Sequence, residues 1–289
     1  MKPYLASPAG ARAVFETYHI SAQKRYGQNF LIDASVPEAI VEAAGVTEDD
    51  CVLEIGPGIG TLTQYLASAA GKVIAVEIDR DLLPVLEGTL QFWPNVKVIP
   101  GDILKLDIPK LLAEESGGRH VKVVANLPYY ITTPILMKLL ESGAEIQSLT
   151  VMVQEEVADR IRSGPGTKAY GAIALAVQFY AVPEVALRVP PSAFMPQPGV
   201  HSAVLHLVRR REPAVTPRSS EYMFRLIKAA FLERRKTLVN AIAGYPPAGV
   251  AKADVAAALE KLGWPALVRG ETLTLEQFAA LSDALQARS

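Results

Sequence analysis

Five short apolar runs, each followed by a polar or helix-patterned segment, constrain this chain more than any other feature. They are Cys51–Ile55, Val73–Glu77, Val96–Ile99, Val121–Ala125 and Leu149–Val153, with helical spacing between them at Leu62–Ala70, Leu82–Leu90 and Pro134–Glu141. Runs that stay apolar without alternating are what strands need when helices cover both faces. Their repetition with helices implies an α/β fold with a mostly parallel, doubly wound sheet. Two further strand-like runs, Glu184–Val189 and Ser202–Arg209, bring the sheet to seven, and their closeness in sequence predicts that one enters antiparallel. Half of the 289 residues are hydrophobic and 20% are charged, which suits a large core and excludes a disordered chain.

The flanks read differently. Pro3, Pro8 and Gly10 with little periodicity predict a loose N-terminal arm over 1–18. Ser35, Pro37 and Glu38 read as the capped start of a helix over about 36–44. A helix near Glu155–Arg162 and an apolar segment at Ala172–Tyr180 precede the last two strands. The Pro/Ser-rich stretch 212–220 is a linker, and beyond it only helical patterns remain, at Glu221–Leu232, Arg235–Ala243, Lys252–Leu262 and Leu275–Leu285. The expected organisation is therefore an arm (1–18), a ligand-binding α/β domain (19–212) and a small all-helical domain (213–289).

The first run leads into Glu54-Ile55-Gly56-Pro57-Gly58-Ile59-Gly60. A strand, a glycine turn and a helix place backbone N–H groups and a helix N-terminus beside a nucleotide-like ligand. The spacing is G-x-G-x-G, and Thr61 stands where a dinucleotide fingerprint would carry its third glycine. That favours S-adenosylmethionine over a nicotinamide cofactor. Glu77, at the end of the second run, suits the paired hydroxyls of a ribose, which both ligands present. Asp102, after the third, suits an adenine amino group, or equally the capping of the segment that follows it.

The fourth run ends in Asn126-Leu127-Pro128-Tyr129-Tyr130. The amide oxygen of Asn126 and the carbonyl of Leu127 can accept the two hydrogens of an exocyclic amine. Pro128 fixes its own φ and keeps Leu127 extended. Tyr129 offers a face on which a base can stack. An adenine amino nitrogen is a poor nucleophile because its lone pair is delocalised into the ring. Two acceptors favour its pyramidal form and stabilise the charge that develops on it. In-line displacement at an electrophilic methyl then needs positioning more than acid–base groups, and no Ser/His/Asp or Cys/His arrangement is evident.

These motifs, with Arg25-Tyr26-Gly27-Gln28-Asn29-Phe30-Leu31, Glu77-Ile78-Asp79, Gly101-Asp102, the run from Gln154 to Ala158 and the run from Phe194 to Ser202, resemble the small-subunit (16S) ribosomal RNA adenine N6,N6-dimethyltransferase family. The resemblance spans most of the chain and implies a Rossmann-like methyltransferase fold. It implies that Gln28, Asn29 and Leu31 line the cofactor site, that Gly56 and Gly58 approach its methionine part, and that Glu77 holds the ribose and Asp102 the adenine. Glu54 joins that cofactor set. It further implies that Asn126 meets both cofactor and target amine, and that Tyr129 and Phe194 sandwich the target base. Tyr26 stands where Phe or Leu is usual in the family. The tail beyond 213 matches it only loosely.

The formal charge is −1, yet its distribution is uneven: residues 1–180 hold 15 basic and 21 acidic side chains, and residues 181–289 hold 14 and 9. Arg209-Arg210-Arg211, Arg234-Arg235-Lys236 and Lys24-Arg25 are the candidate RNA contacts, against the plainer reading of solvated faces. Four scattered histidines and one cysteine, Cys51, give no metal-ligand spacing and no disulfide. No apolar run reaches the ~18 residues of a membrane helix. The expectation is a cytoplasmic monomer, without metal or membrane, that dimethylates two adjacent adenines near the 3′ end of 16S rRNA in a 30S or pre-30S particle. Rival readings are a large-subunit rRNA adenine methyltransferase of the antibiotic-resistance type, a non-catalytic RNA-binding assembly factor on the same fold and, more distantly, a dehydrogenase.

Overall fold

A computed structural model describes residues 4–23 and 27–287. Lys24, Arg25 and Tyr26 lie outside the described residues. The chain divides into two compact units, one of residues up to Ala158 with Pro183–Arg209, the other of Asp159–Val182 with residues from Arg210 onward.

The first unit is built on a sheet of seven strands among the described residues, in the order β4-β3-β2-β5-β6-β9-β7. The strands are β2 (Asp50–Ile55), β3 (Lys72–Glu77), β4 (Val96–Pro100), β5 (His120–Asn126), β6 (Ile146–Gln154), β7 (Ala181–Val189) and β9 (Ser202–Arg209). Every residue of β2 is buried, as its unbroken apolar run requires. β7, at the end of the order, instead alternates in burial and carries Pro183, which an edge strand tolerates. β2 pairs parallel with β3 and β5, and β5 with β6, while β9 enters antiparallel against β6. The carboxyl ends of β2, β3, β4 and β5 therefore share one edge. The order reverses direction at β2, where such sheets open a crevice.

Helices α2 (Ser35–Ala44), α3 (Thr61–Ala69), α4 (Leu83–Leu90), α5 (Ile108–Glu115), α6 (Thr132–Glu141) and α7 (Glu155–Arg162) alternate with the strands. α5 escaped the sequence reading because it is short and opens with Pro109, yet its start is well formed: Asp107 accepts the Lys110 N–H at 3.1 Å. At α2 the expected Ser35 cap is not the one used. Asp33 lies before the helix and accepts both the Ser35 N–H (3.0 Å) and its hydroxyl (2.7 Å).

The expectation of a loose arm over 1–18 is also corrected. Helix α1 spans Pro8–Tyr18, with Ser7 accepting the Gly10 N–H. Pro8 stands in the first helical turn, where its missing N–H costs nothing, so the residue read as a breaker is part of a start signal. Ala11 and Val14 bury against Leu5, Phe30, Ile59, Leu82 and Val85.

Two two-residue strands, β1 (Phe30–Leu31) and β8 (Phe194–Met195), pair antiparallel, with Leu31 opposite Phe194. Phe194 is only 1% exposed and packs in the core with Leu31, Val189 and Val204.

The second unit gathers α8 (Ala172–Tyr180), α9 (Ser220–Leu232), α10 (Leu238–Ala243), α11 (Lys252–Lys261) and α12 (Leu275–Gln286). The boundary expected at 212/213 left 159–182 with the sheet. Instead Tyr170, Leu175 and Phe179 share a core with Met223, Leu226 and Phe278, because the apolar side of α8 finds its cover there. Tyr170 donates its hydroxyl hydrogen to the Leu273 carbonyl at 2.9 Å. Of the expected linker 212–220, residues 212–219 are irregular, tied in by the Ala214 N–H on the Phe179 carbonyl and the Arg218 N–H on Asp283.

Truncating Phe194 should read out as a core defect. Phe194→Ala is expected to lower unfolding free energy by about 3–5 kcal/mol, and Phe194→Leu by markedly less, in urea titrations followed by circular dichroism. Equal stability of Phe194→Ala and the parent chain would contradict the packing described.

Candidate active site

The edge formed by the ends of β2, β3 and β5 opens into a concave cleft lined by residues from all three strand ends. The glycine turn after β2 forms one wall. Gly56 and Gly58 hold φ of +68° and +62°, left-handed angles that favour glycine. They serve different ends. A Cβ on Gly56 would project into open space, leaving its backbone accessible to a ligand, whereas one on Gly58 would crowd the Phe30 ring at 3.1 Å.

Two buried carboxylates stand at the floor. Glu77 is 4% exposed and takes the Gly58 N–H (3.2 Å) on one oxygen and the Asp79 N–H (2.8 Å) on the other, leaving lone pairs on both for a ligand. Burial raises its pKa, and those backbone N–H groups oppose the shift. Glu54 is 1% exposed and lines the same cleft. Burial pushes its carboxyl up to about 8, the nearby Thr63 hydroxyl opposing and the Glu77 charge adding. The Glu54 Oε2 and the Thr61 Oγ1, both of residues on the lining, have no hydrogen-bond partner among the described residues. Buried polar atoms left open in this way ask for a polar, cationic occupant. A ligand with a ribose and a positively charged amino-acid tail fits the open Gly56 backbone, the free lone pairs of Glu77 and the orphaned Glu54.

The opposite wall is the tetrapeptide. Asn126 ends β5 and donates from Nδ2 to the Asn29 carbonyl at 3.2 Å. With its nitrogen engaged there, the amide offers Oδ1 as acceptor. Leu127 is buried and its N–H is held by the Met152 carbonyl at 3.1 Å. Pro128 has φ −59° and opens a short turn at Tyr129–Ile131. The Tyr129 hydroxyl meets Ser202 Oγ at 2.6 Å, which pins the ring. Ser202 starts β9 opposite Gln154, and its part in holding Tyr129 was not evident from sequence.

Of the residues singled out from sequence, Gln28, Asn29, Leu31, Glu54, Gly56, Gly58, Glu77, Asn126, Leu127, Pro128 and Tyr129 line this one cleft. Tyr130 lines it too and is 62% exposed, a residue the sequence reading gave no role. Two residues stand apart. Asp102 follows β4 and spends one carboxylate oxygen on the Leu104 N–H (3.0 Å), with Lys105 3.6 Å from the other, and it is not on the described lining. Phe194 is covered and is not on the described lining.

The basic clusters also separate. Arg209 spends its guanidinium on the Ala144 (2.8 Å) and Leu140 (3.2 Å) carbonyls, a structural role at the end of α6. Arg210 donates to the Gln178 carbonyl, and Arg211 is exposed. In the helical unit Arg234 pairs with Glu271 at 2.6 Å and donates to the Thr167 and Lys168 carbonyls. It thereby builds the floor of a depression around which Lys168, Arg235 and Arg269 are exposed. Lys236 pairs with Glu233 at 3.6 Å. Lys168 and Arg269 were missed because single cations far apart in sequence form no run. Among the described residues no cluster of potential metal ligands occurs, and no helix is long and apolar enough to cross a membrane.

Comparison with known proteins adds to this geometry. The family model for ribosomal RNA adenine dimethylase matches residues 20–264. The ribosomal RNA small subunit methyltransferase A of Lachnoclostridium phytofermentans is 51% identical over 286 residues, 99% of each chain. That of Alkaliphilus metalliredigens is 49% identical, covering 98% of this chain and 99% of its own. Among solved structures, the 23S rRNA methyltransferase ErmE superposes with a TM-score of 0.67 at 27% identity, over 89% of this chain and all of that one. A dimethyladenosine transferase from Plasmodium falciparum shares the fold, with a TM-score of 0.72 at 24% identity over 87% and 95% of the two chains.

The raised Glu54 carboxyl sets a pH signature. Its folded value near 8 exceeds its ordinary 4.5, so the folded state holds the extra proton between those values. Its contribution to stability is complete below 4.5 and lost as pH rises through 8. Glu54→Gln removes this loss. The variant should gain on the parent by on the order of 4 kcal/mol between pH 4.5 and 9, read from urea midpoints. A difference that stays flat with pH would contradict an uncompensated buried carboxyl.

Proposed function

The chain belongs to the ribosomal RNA adenine dimethylase family, and on that premise we propose that it dimethylates two adjacent adenines near the 3′ end of 16S rRNA during small-subunit assembly. The observation that carries the chemistry is the Asn126 amide, held by the Asn29 carbonyl so that its oxygen is the acceptor presented at the cleft. The small-subunit target is supported by relatives near 50% identity over nearly the whole chain, against 27% for the 23S enzyme.

S-adenosylmethionine, when bound, supplies an electrophilic methyl on a sulfonium. In this reading Glu77 accepts the ribose hydroxyls and Asp102 the adenine amine, while Glu54 faces the cationic tail. Gln28, Asn29 and Leu31 close the wall beside them. A positive charge on the bound ligand would favour the ionised forms of Glu54 and Glu77 and offset the desolvation that burial imposes on them. The Asn126 Oδ1 and the Leu127 carbonyl take the two hydrogens of the target N6. Its lone pair is thereby directed away from the ring, and charge developing on nitrogen meets two fixed dipoles. Tyr129, pinned by Ser202, gives the base a rigid plate at little entropic cost, and Phe194 supports the loop behind it.

The second transfer follows from the same arrangement. Each methylation releases one proton from N6 to solvent, so after the first N6 keeps a single hydrogen; one acceptor then suffices and the methyl takes the place beside the other. No protein group is consumed, and repetition needs only fresh cofactor. The Lys168, Arg235 and Arg269 rim, with Arg211, is the proposed phosphate-contact surface. Lys24 and Arg25 are further proposed contacts.

The test uses radiolabelled S-adenosylmethionine with unmethylated 30S particles, 50S particles and free rRNA, followed by base mapping. Two dimethylated adenines in 30S rRNA are expected. Asn126→Ala should retain the fold and lose at least about a hundredfold in kcat, the scale of removing one such dipole. Labelling of 50S particles alone would overturn the target, and parental rates for Asn126→Ala would overturn the role of its amide.

A further inference from the structure

Asp79 has no part in the reading above, yet the residue is 2% exposed and each of its carboxylate oxygens accepts a hydrogen bond. One oxygen takes the Asp81 N–H at 3.2 Å and the other takes Gln28 Nε2 at 2.9 Å, across 51 residues of sequence. The Gln28 Oε1 in turn accepts the Gln23 N–H at 2.8 Å. Gln28 therefore lines the cleft with both ends of its amide already bonded to protein. One peptide further on, the Asn29 carbonyl takes the Asn126 Nδ2.

We propose that Asp79 is a positioning residue for methyl transfer. It holds the Gln28 amide, and through the Gln28–Asn29 backbone it fixes the carbonyl that aims the Asn126 side chain. This rests on the reading of Asn126 as the acceptor of the target amine. The physical reason is the two-fold ambiguity of a side-chain amide. Asn126 presents oxygen to the cleft only while a carbonyl sits where its nitrogen must go. If that carbonyl drifts, the flipped amide offers hydrogen to an amine that also carries hydrogen, and stabilisation turns to repulsion. Asp79 also donates its own N–H to Glu77, so the proposed ribose carboxylate and the acceptor of the target amine hang from one scaffold. A carboxylate suits this post because a charge-assisted hydrogen bond is the strong kind.

A donor–acceptor swap tests it. Asp79→Asn keeps an oxygen for the Asp81 N–H but sets an amide nitrogen against that of Gln28. Gln28→Glu sets carboxylate against carboxylate. The double variant Gln28→Glu/Asp79→Asn restores one donor facing one acceptor at unchanged net charge. Three readouts apply to each protein: melting temperature, amide hydrogen exchange at Asn29, Phe30 and Leu31 without ligand, and kcat and KM with S-adenosylmethionine and 30S particles. Asp79→Asn is expected to melt near the parent and Gln28→Glu, which sets like charges together at a nearly buried carboxylate, lower; both should exchange faster at those amides and lose about tenfold in kcat, as for one charge-assisted bond. The double variant should recover most of both losses. Parental exchange and kcat in Asp79→Asn, or a double variant no better than the poorer single one, would overturn the proposal. A parent chain inactive on every particle would instead overturn the functional reading, while the ligand-free exchange pattern would still judge the Asp79–Gln28 link.

Discussion

Parallel pairing of β2 with β3 on one side and β5 on the other is the constraint from which the site follows. Parallel strands end at the same edge. Glu54, the glycine turn, Glu77 and Asn126 are therefore brought to one crevice although they span more than 70 residues of sequence. Continuous apolar strands make the pairing possible, since helices must cover both faces. The antiparallel entry of β9 adds the last element, placing Ser202 opposite Gln154 and under the Tyr129 hydroxyl.

The cleft is held in an unfavourable electrostatic state. Glu54 and Glu77 are nearly excluded from water, and burial raises both carboxyls. Glu77 is compensated by two backbone N–H groups, while one oxygen of Glu54 is left without a partner. A core built for stability alone would avoid this arrangement. A site for a cation-bearing nucleoside gains from it, because the ligand supplies the missing charge. Around the tetrapeptide the fixing is done by backbone geometry: Pro128 sets the turn at Tyr129–Ile131, and the Asn29 carbonyl holds the Asn126 amide.

Much of this was legible in advance where the signal is local. The strand runs, the antiparallel return, the glycine turn and the tetrapeptide were readable because each depends on neighbouring residues. Misreadings fell where one residue type serves two purposes. Pro8 looked like a breaker and is a helix start. The arginines at 209 and 234 looked like free cations and instead satisfy carbonyl groups. Segment 159–182 was assigned by position along the chain, whereas its apolar side chains pack with α9 and α12.

The sequence by itself determined the fold class and the family to which the chain belongs, since strand periodicity and contiguous motifs encode these. Tertiary structure alone decided how those residues are held. The Asn29 carbonyl that orients Asn126, the Asp79–Gln28 link, and the burial of Phe194 against Leu31 join positions far apart in sequence. Two of these contacts use backbone groups, the Asn29 carbonyl and the strand pairing at Phe194. Every residue carries such groups, so no pattern of residue types can announce which of them will be spent at a site.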